Sequence, residues 1–420
     1  MTRVALVSSE PVRERMAGIG IRYLELARRL PRPGIEAVLL SPAEPAEAPP
    51  AGVEVRRLVP GRIAELLADC DAAVAQGQLA NDLLLECPEL PVAIDLYDPW
   101  LVENLHYLAS LGLDPWRNDH ATWVLQLSRG DLFLCSSEEQ RLYYLGFLTA
   151  LGRVNPERLA ADPDLARLIV EVPFGVPDPA ELPPHRPLLP ARRGGELRVL
   201  FGGVYDWYDP WTLLAALERL DRPWRLLLVR NPNAGDTPQA LFARLEAHCR
   251  ERGWWGERVE AIDWVPAERR FDLLRDADVL CSPHRPSLEA RLSLRTRFLD
   301  AFAAGCPVVV SDGGTVARLV AAHGAGWVVP SADEAALAAA LAEVAAGGEE
   351  AARRRAGARS LAVAMSWERA LAPLVAFCHE PWRDASRDRF AFRPATFAPP
   401  DPLSFRLRRR LRRALAAPER

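Results

Sequence analysis

Short apolar runs alternate with amphipathic stretches along the whole chain. The runs are rich in Val, Leu, Ile and Ala and are bounded by Gly, Pro, Asp or Ser, which is typical of buried β-strands. In the first half, strands are predicted at Val4–Val7, Ala37–Leu40, Val53–Leu58, Ala72–Ala75, Val92–Asp95, Leu132–Cys135 and Ile169–Val172. In the second half, they are predicted at Leu197–Phe201, Arg225–Val229, Val259–Ile262, Asp278–Cys281, Pro307–Val310 and Gly326–Val329.

The stretches between these runs carry the apolar spacing of helices. Helices are predicted at Ile21–Leu30 and Ser137–Gly146, and near 211–220, 238–252, 268–275, 294–304, 315–323 and 333–346. Apolar strands that alternate with helices indicate parallel sheets covered on both faces. The fold class is therefore α/β, with two tandem doubly wound, Rossmann-like domains that face each other across a cleft.

A Pro-rich segment divides the two halves. Six Pro and two Gly lie between Pro177 and Gly195, and the strand pattern restarts near residue 197. We predict a first domain at 1–178, a linker at 179–196, a second domain at 197–362, a returning helix at 363–385 and a Pro/Arg-rich basic tail at 386–420. Ligands of doubly wound folds bind at the carboxyl ends of the strands, so the site is expected between the domains.

The basic residues are unusual, because all 52 of them are arginine and the sequence has no lysine. A P-loop, a Schiff-base enzyme and a protein kinase each need a lysine, so these classes are excluded. Any bound phosphate must then be held by Arg, backbone N–H groups or helix N-termini.

The seven Cys residues are scattered without a Cys-x-x-Cys pair, and no His/Cys cluster has metal-ligand spacing. The first residues run directly into a strand-like stretch, and no apolar run is long enough to span a membrane. We expect a cytoplasmic protein that needs no metal.

The carboxyl-terminal residues Leu403–Arg420 contain seven Arg and one Glu, whereas the whole chain has a net charge of -4. Leu407, Leu411, Ala414 and Leu415 fall on one helical face. The segment is either a short basic helix on an anionic membrane surface or a solvated tail. Nucleic-acid binding is not expected, since the rest of the chain is acidic.

In each domain, a glycine-containing loop follows the first strand. Gly18 and Gly20 open the first helix and form either an anion-binding loop or a plain turn. After the first strand of the second domain, Gly203 permits close approach of a ligand. Asp209 precedes Pro210 and is interpreted as a helix cap, whereas Asp206 is the better ligand candidate.

The segment from His284 to Pro307 has the densest candidate chemistry. Arg295, Thr296 and Arg297 lie where a helix begins, which suits a pyrophosphate without Lys or metal. We expect Asp300 to reach ribose hydroxyls and Glu289 to reach the sugar ring.

Two histidines of the first domain, His106 and His120, are candidates to face the sugar, with His120 as a catalytic candidate beside Glu289. Asp276-Ala277-Asp278 has the pattern of a metal-binding Asp-x-Asp, but it ends a helix and enters a strand, so a structural role is predicted.

Two stretches resemble the GT-B retaining glycosyltransferases of the family 4 type. Asp300-Ala-Phe-Ala-Ala-Gly-Cys-Pro307, followed by three Val, is similar to the end of that family's nucleotide-sugar motif. Glu289 to Asp300 resembles a bacterial subgroup with the pattern Glu-x-Arg-x-Ser-x-Arg-Thr-Arg-x-x-Asp. Asp95-Leu-Tyr97-Asp98-Pro99 and Glu103 also match the subgroup.

The resemblance implies a GT-B fold with the nucleotide sugar on the second domain and the acceptor on the first. It implies no metal, because positive side chains and helix dipoles stabilise the leaving diphosphate, which can itself accept the acceptor proton. The family's acidic pair is eight residues apart, whereas Glu289 and Asp300 are eleven apart. Its Arg/Lys pair is replaced by the segment 206–209, so the diphosphate charge is expected to fall to Arg295, Arg297, Arg230 or backbone amides.

The expected function is a metal-independent retaining glycosyltransferase with a nucleotide-diphospho-sugar donor and a sugar or lipid-linked acceptor, in surface polysaccharide or glycoconjugate synthesis. Two alternatives remain open. One is a nucleotide-sugar epimerase or phosphorylase on the same fold, and the other is a non-catalytic GT-B scaffold in a membrane-associated complex.

Overall fold

The structure is a computed structural model that describes residues 1–42, 52–192, 194–230, 239–392 and residue 407. It contains two parallel β-sheets, of seven and six strands. Every predicted apolar run forms a strand whose ends lie within two residues of the expected ones. The predicted fold of two doubly wound α/β domains is confirmed.

The first sheet has the order β3-β2-β1-β4-β5-β6-β7, and all its neighbours pair in parallel. Val4 of the central first strand pairs with Ala37 on one side and Ala72 on the other. The strands are β1 (Thr2–Val7), β2 (Ile35–Ser41), β3 (Val53–Arg57), β4 (Ala72–Ala75), β5 (Val92–Asp95), β6 (Leu132–Cys135) and β7 (Ile169–Glu171).

The second sheet has the order β10-β9-β8-β11-β12-β13 and is also parallel. Its strands are β8 (Leu197–Phe201), β9 (Trp224–Val229), β10 (Val259–Ile262), β11 (Val279–Cys281), β12 (Val308–Ser311) and β13 (Gly326–Val329). In each sheet the strand order reverses at the first strand, which places a ligand crevice beside the carboxyl ends of β1 and β8.

Helices connect the strands, as parallel pairing requires. In the first domain they are α1 (Gly18–Arg29), α2 (Ile63–Leu66), α3 (Gly77–Glu86), α4 (Trp100–Asn104), α5 (Leu108–Leu111), α6 (Asp114–Arg129), α7 (Glu138–Ala150) and α8 (Pro156–Ala161). From the second domain onward they are α9 (Pro210–Glu218), α10 (Ala240–Glu251), α11 (Arg270–Asp276), α12 (Leu288–Leu292), α13 (Thr296–Ala304), α14 (Thr315–His323), α15 (Glu334–Ala346), α16 (Gly348–Ala364), α17 (Trp367–His379) and α18 (Arg387–Phe390).

The Pro-rich linker runs along the second domain. Asp276, at the end of α11, accepts hydrogen bonds from the backbone N–H groups of Leu188 and Leu189 at 2.7 and 2.9 Å. Asp278 accepts one from the backbone of Arg198 at 2.8 Å. Both aspartates therefore have the structural role that their place between helix and strand predicted.

The chain returns to the first domain near residue 366. The N–H of Val176 donates to the carbonyl of Met365 at 2.9 Å, and the buried Trp367 packs on Phe174 with 5.1 Å between ring centroids. A methyl group at Gly175 would lie only 2.4 Å from the Trp367 ring, so this crossing needs glycine. Helix α17 thus belongs to the packing of the first domain.

The residues after α17 also pack on the first domain. Asp384 is buried and accepts from Arg153 at 2.8 Å, and Arg387 pairs with Asp131 at 2.8 Å. Residues 386–392, predicted as the start of the Pro/Arg-rich basic tail, are held on the first domain by the buried pair of Arg387 with Asp131. Apart from Leu407, the predicted basic segment Leu403–Arg420 lies outside the described residues.

In the part of the chain that the structure describes, no helix is both long enough and apolar enough to cross a bilayer.

Candidate active site

Two neighbouring cavities occupy the cleft between the domains. The outer cavity, of about 340 Å³, is lined by both domains, and the inner cavity, of about 160 Å³, adjoins the carboxyl end of β8. They share a wall formed by Ala17, Gly18, Tyr205, Thr296 and Arg297.

Two helices begin at this shared wall. Helix α1 begins at Gly18 and α13 at Thr296, and neither receives a side-chain hydrogen bond from its N-cap residue. A methyl group at Gly18 would lie 3.9 Å from the Thr296 hydroxyl oxygen, so the two helix ends face each other closely. Free N–H groups and two helix dipoles at one point favour a bound anion.

Arg297 adds a positive charge to the same wall. Its Nη1 donates to the carbonyl of Gly203 at 2.8 Å, and its guanidinium lies 4.8 Å from the centroid of the Tyr208 ring. Gly203 has φ of +63°, a left-handed conformation that suits glycine. Among the described residues no carboxylate lies within ion-pair distance of Arg297, so its charge is available to a ligand.

Arg295 is bound inside the protein instead. It is buried and donates to Glu289 Oε2 and to His284 Nδ1, each at 2.6 Å. Burial and the Arg295 charge lower the pKa of His284 to about 3, so this imidazole is neutral at pH 7 and accepts the bond. Glu289 Oε1 has no partner within the described residues, and Glu289 lines the outer cavity.

A pair of carboxyl groups from the first domain faces Glu289. Asp98 follows β5, Glu103 lies on α4, and their side chains are hydrogen-bonded to each other. Glu103 Oε1 also accepts from the hydroxyl of Ser293, across the cleft, at 2.9 Å. The outer cavity therefore gathers three carboxyl groups from two domains.

The protonation of this pair is set mainly by burial. Burial is the main reason that the pKa of Asp98 rises to about 6; the hydrogen bond with Glu103 opposes this rise, and the charges of Glu289 and Asp95 add to it. Burial, followed by the charges of Asp98 and Glu289, raises the pKa of Glu103 well above its ordinary range. Both carboxyl groups therefore keep a proton to a higher pH than free carboxyl groups do.

Glu10, in the loop after β1, is a further carboxyl group of the outer cavity. It accepts from the backbone N–H of Gly20 at 3.3 Å. Burial raises its pKa, and the nearby charge of Asp98 acts in the same direction.

Aromatic rings form another part of the outer cavity. Tyr205 and Trp207 stack in parallel, with 4.9 Å between centroids and 5° between planes. Tyr107, from the first domain, contacts Trp207 at 5.9 Å. Such faces can pack against the apolar side of a sugar ring.

The inner cavity is mostly apolar. Trp264 and Val265 line it together with Leu273, Leu274 and other buried side chains. Its charged group besides Arg297 is the ion pair of Asp300 with Arg270, at 3.0 Å. Burial raises the pKa of Asp300, and Arg270 opposes this rise.

A buried ion pair holds the loop that carries Asp98. Arg22 of α1 is fully buried and donates to both oxygens of Asp95 at 2.6 and 2.9 Å. Its guanidinium lies 4.6 Å from the centroid of the Tyr97 ring and also binds the carbonyl of Val172. The end of β5, and hence the direction of Asp98, is thereby tied to α1 and to the end of β7.

Comparison with known protein families found a match for the second domain. Residues 197–346 match the family model for Glycosyl transferases group 1. The second domain is therefore similar to group 1 glycosyltransferase domains. No curated protein matches the chain over any part of its length.

Solved structures share the fold of the whole chain. Sucrose-phosphate synthase from Thermosynechococcus elongatus is 18% identical with a TM-score of 0.63, over 90% of this chain and 98% of that one. HepE from Anabaena, in complex with UDP-glucose, is 15% identical with a TM-score of 0.64, over 90% and 98%. Trehalose-6-phosphate synthase OtsA is 15% identical with a TM-score of 0.63, over 91% and 100%. The fold is GT-B, and together with the matched domain it supports a glycosyltransferase.

Most of the predicted site residues meet in the cleft of this glycosyltransferase fold. Their role as donor ligands remains a prediction. The residues that line one or both cavities are Gly18, Gly203, Glu289, Arg295, Thr296, Arg297 and Asp300.

Two predicted donor ligands are used inside the protein instead. Asp206 Oδ1 accepts from the backbone N–H of Leu241 at 3.0 Å, so it stabilises the start of α10 and lines neither cavity. Gly20 lines neither cavity, and its N–H is bound to Glu10. Asp209, by contrast, caps α9 by accepting from Thr212, as predicted.

Two other predicted residues lie away from the cavities. Arg230 is half exposed, and among the described residues it pairs with Asp263 at 3.6 Å. His120 is exposed on α6 and stacks on Trp116, with 5.2 Å between ring centroids. This position argues against a catalytic role for His120. His106 is nearer, since its ring lies 5.9 Å from that of Trp207.

Several site residues were not singled out from the sequence. Glu10 and Tyr107 belong to no motif, so no local signal marked them. The aromatic residues Tyr205, Trp207 and Tyr208 lie directly after a Gly-Gly pair at a strand end. This pair is the local signal in the sequence that could have identified them together with Asp206. Asp98 and Glu103 were noted as matches to the subgroup, but no role was assigned to them.

The described residues contain no group of three or more His, Cys, Asp or Glu side chains that could hold a metal ion.

Proposed function

We propose that the protein is a metal-independent, retaining glycosyltransferase that moves a sugar from a nucleotide-diphospho-sugar to an acceptor hydroxyl. The observation that carries this proposal is the wall between the cavities, where two helix N-termini and Arg297 surround one point. A diphosphate is the ligand that this arrangement favours. An apolar cavity for the nucleoside and an acidic cavity for the sugar lie on its two sides.

The nucleoside occupies the inner cavity in this proposal. The base packs on apolar side chains such as Trp264 and Val265, and the ribose hydroxyls bind the pair Asp300 and Arg270. HepE, which shares the fold, is known in complex with UDP-glucose. UDP-glucose is therefore the first donor to test.

The leaving diphosphate is stabilised without a metal in this proposal. The N-termini of α1 and α13 direct N–H groups at it, and Arg297 supplies a full positive charge. These groups are fixed before the reaction, which makes them effective in stabilising charge that develops in the transition state.

The sugar lies in the outer cavity, where Glu289 Oε1 is free to accept a hydrogen bond from a sugar hydroxyl. The Asp98 carboxylate orients the acceptor from the first domain by accepting from a neighbouring hydroxyl, which leaves the proton of the reacting acceptor hydroxyl directed at the diphosphate. The oxygen of the reacting hydroxyl forms the new bond to the anomeric carbon while the bond to the diphosphate breaks on the same face. The proton passes to the leaving diphosphate oxygen, so the anomeric configuration is retained.

The proposal is tested by incubating the protein with UDP-glucose and related nucleotide sugars in EDTA, with and without an acceptor panel. We expect release of nucleoside diphosphate from one donor, and NMR of the product should show the anomeric configuration of that donor. A requirement for added metal, or an inverted product, would contradict the mechanism. If no nucleotide sugar binds, the chain is a non-catalytic scaffold.

A second candidate is a nucleotide-sugar epimerase, and the Asp98–Glu103 pair favours it. The two carboxyl groups are hydrogen-bonded and both have raised pKa values, and such a pair can supply a base and an acid to one substrate. Donor alone in deuterated water separates the two functions. An epimerase converts the donor and incorporates deuterium at a ring carbon, whereas a glycosyltransferase does neither. Phosphorolysis would instead require inorganic phosphate.

The cellular role that we propose is polysaccharide or glycoconjugate synthesis at the inner face of a membrane. The support is the charge of Leu403–Arg420 in the sequence, with seven Arg and one Glu. Sedimentation with vesicles that contain anionic lipid should decline with salt and should be lost when this segment is removed.

A further inference from the structure

An apolar groove lies on the first domain between α4 and α6. Its volume is about 380 Å³, within the range of about 300–1,000 Å³ that is usual for small-molecule sites. It is lined by Asn104, Leu105, Tyr107, Leu108, Leu111, Gly112, Leu113, Pro115, Trp116 and Asp119.

The groove exposes an unusual amount of hydrocarbon. Leu105, Leu108, Leu111 and Leu113 are 49–53% exposed, and Trp116 is 38% exposed. Scattered exposed leucines are ordinary on protein surfaces, but a contiguous apolar set in one concave segment marks a binding surface.

The amide and carboxylate side chains that line the groove are already paired. Asn104 Nδ2 donates to Asp119 Oδ2 at 2.8 Å, which joins the two ends of the groove. Asp114 and Arg117, beside it, pair with each other at 2.9 Å. A sugar or a charged group would find few free partners here, whereas a hydrocarbon chain needs none.

The groove adjoins the outer cavity of the active site. Asn104 and Tyr107 line both spaces. Tyr107 packs on Trp207, and its buried hydroxyl has no partner within the described residues. One molecule can therefore place a polar head beside Asp98 and an apolar tail in the groove.

We infer that the groove binds the hydrocarbon part of the acceptor, so that the acceptor is a lipid alcohol or a glycolipid. This inference rests on the proposed function, since it takes the outer cavity as the place of transfer. A single chain is favoured over a bilayer surface, because the leucines line a concave groove beside the cavity rather than a flat face.

The test compares dodecyl glucoside, below its micelle concentration, with methyl glucoside as probes of the full chain. Affinity measured by calorimetry should rise about fourfold for each methylene that enters the groove. The double variant Leu108→Asn/Leu111→Asn should bind dodecyl glucoside at least tenfold more weakly and methyl glucoside as the wild type does. Both leucines are about half exposed, so the substitutions leave the core intact.

The matched control is Leu142→Asn/Leu159→Asn, which changes two leucines of α7 and α8 with 60% and 50% exposure. It should bind both probes as the wild type does, and both double variants should bind UDP unchanged. A wild type that binds no nucleoside diphosphate would refute the proposed function, whereas the chain-length dependence tests the groove alone.

Three results would overturn the inference. The first is an affinity that does not depend on chain length, or a control double variant that loses as much affinity for dodecyl glucoside as the groove double variant does. The second is unchanged dodecyl glucoside binding in a groove variant that no longer sediments with phosphatidylcholine vesicles, since the leucines then contact a bilayer. The third is a wild-type dimer that the groove variant converts to monomer in light scattering, since a second copy then covers the groove.

Discussion

Two arginines two residues apart have opposite tasks in this cleft. Arg295 is buried against Glu289 and His284, whereas Arg297 lines both cavities and binds only a backbone carbonyl and two aromatic faces. Arg295 and Arg297 cannot share a helix face, so the sequence already indicated that they differ. The sequence did not indicate which of the two arginines faces the ligand, because this depends on the position of Glu289 in the folded protein.

Arg295→Ala should therefore destabilise the protein. The substitution leaves Glu289 buried without its counter-charge, which costs about 3 to 5 kcal/mol of unfolding free energy. Urea denaturation measures the difference. Arg297→Ala is the control, because it removes a charge that has no carboxylate partner among the described residues, and it should change stability by less than about 1 kcal/mol. Equal effects of the two substitutions would contradict this division of tasks.

Asp98 should give the activity a pH dependence. Its carboxylate form orients the acceptor, so the rate should rise with pH through about 6 and then level off. Asp98→Asn should lower the rate strongly and abolish this rise. A rate profile measured from about pH 5 to 8 tests the assignment, and an unchanged profile in Asp98→Asn would exclude Asp98 as its cause.

Ionisation of the Asp98 carboxyl should raise the activity but lower the stability of the fold. The folded protein binds the Asp98 proton more tightly than the unfolded chain does, because its pKa rises from the ordinary 3.8 to about 6. The free energy of unfolding should therefore fall as the pH rises across this interval. In the Asp98→Asn variant, the same free energy should fall less. Thermal unfolding at several pH values measures this difference.

At the scale of elements, the last described segment, residues 380–392, is held by close contacts with the first domain. Gly152 follows α7 with φ of +77°, and a methyl group there would lie 1.9 Å from the carbonyl oxygen of Phe390. Asp384 and Arg387 of this segment form buried ion pairs with Arg153 and Asp131. This segment can therefore pack here only if residue 152 is glycine.

Gly152→Ala should release the segment after α17. We expect faster limited proteolysis between residues 380 and 392 and a loss of about 1 to 3 kcal/mol in stability. The matched control is Gly146→Ala, which lies in α7 with nothing within 4 Å of the added methyl group. That variant should be slightly more stable than the wild type, by about 0.5 to 1 kcal/mol. Equal protease sensitivity in the two variants would contradict the docking.

The elements themselves were largely predictable, because parallel strands buried on both faces leave a strong local signal. Val92–Asp95 and Leu197–Phe201, for example, were predicted with the bounds that the structure has. The function of Asp206 was not predictable, since its partner is the backbone of Leu241, which begins a helix 35 residues later. The docking of Asp384 and Arg387 depends on partners more than 200 residues earlier and left no local trace.

At the scale of the whole molecule, the site exists only because the two domains close on each other. The contact of Glu103 with Ser293, at 2.9 Å, brings the acid pair of the first domain to Glu289 of the second. On the other side of the cleft, Trp264 donates to the carbonyl of Met16 at 2.9 Å and places α1 near α13. Sequence patterns predicted the cleft and its second-domain segment, but not the carboxyl groups that meet across it.

The wall between the two cavities is the centre of this account. If it binds a diphosphate, the free charge of Arg297 must contribute and the exposed Arg230 must not. Calorimetry of UDP binding in EDTA, with the wild type, Arg297→Ala and Arg230→Ala, measures this directly. We predict that Arg297→Ala weakens UDP binding roughly 10- to 100-fold, as expected for a charged hydrogen bond, while Arg230→Ala stays within about twofold. Equal losses in the two variants, or a wild type that does not bind UDP or any other nucleoside diphosphate, would contradict the account.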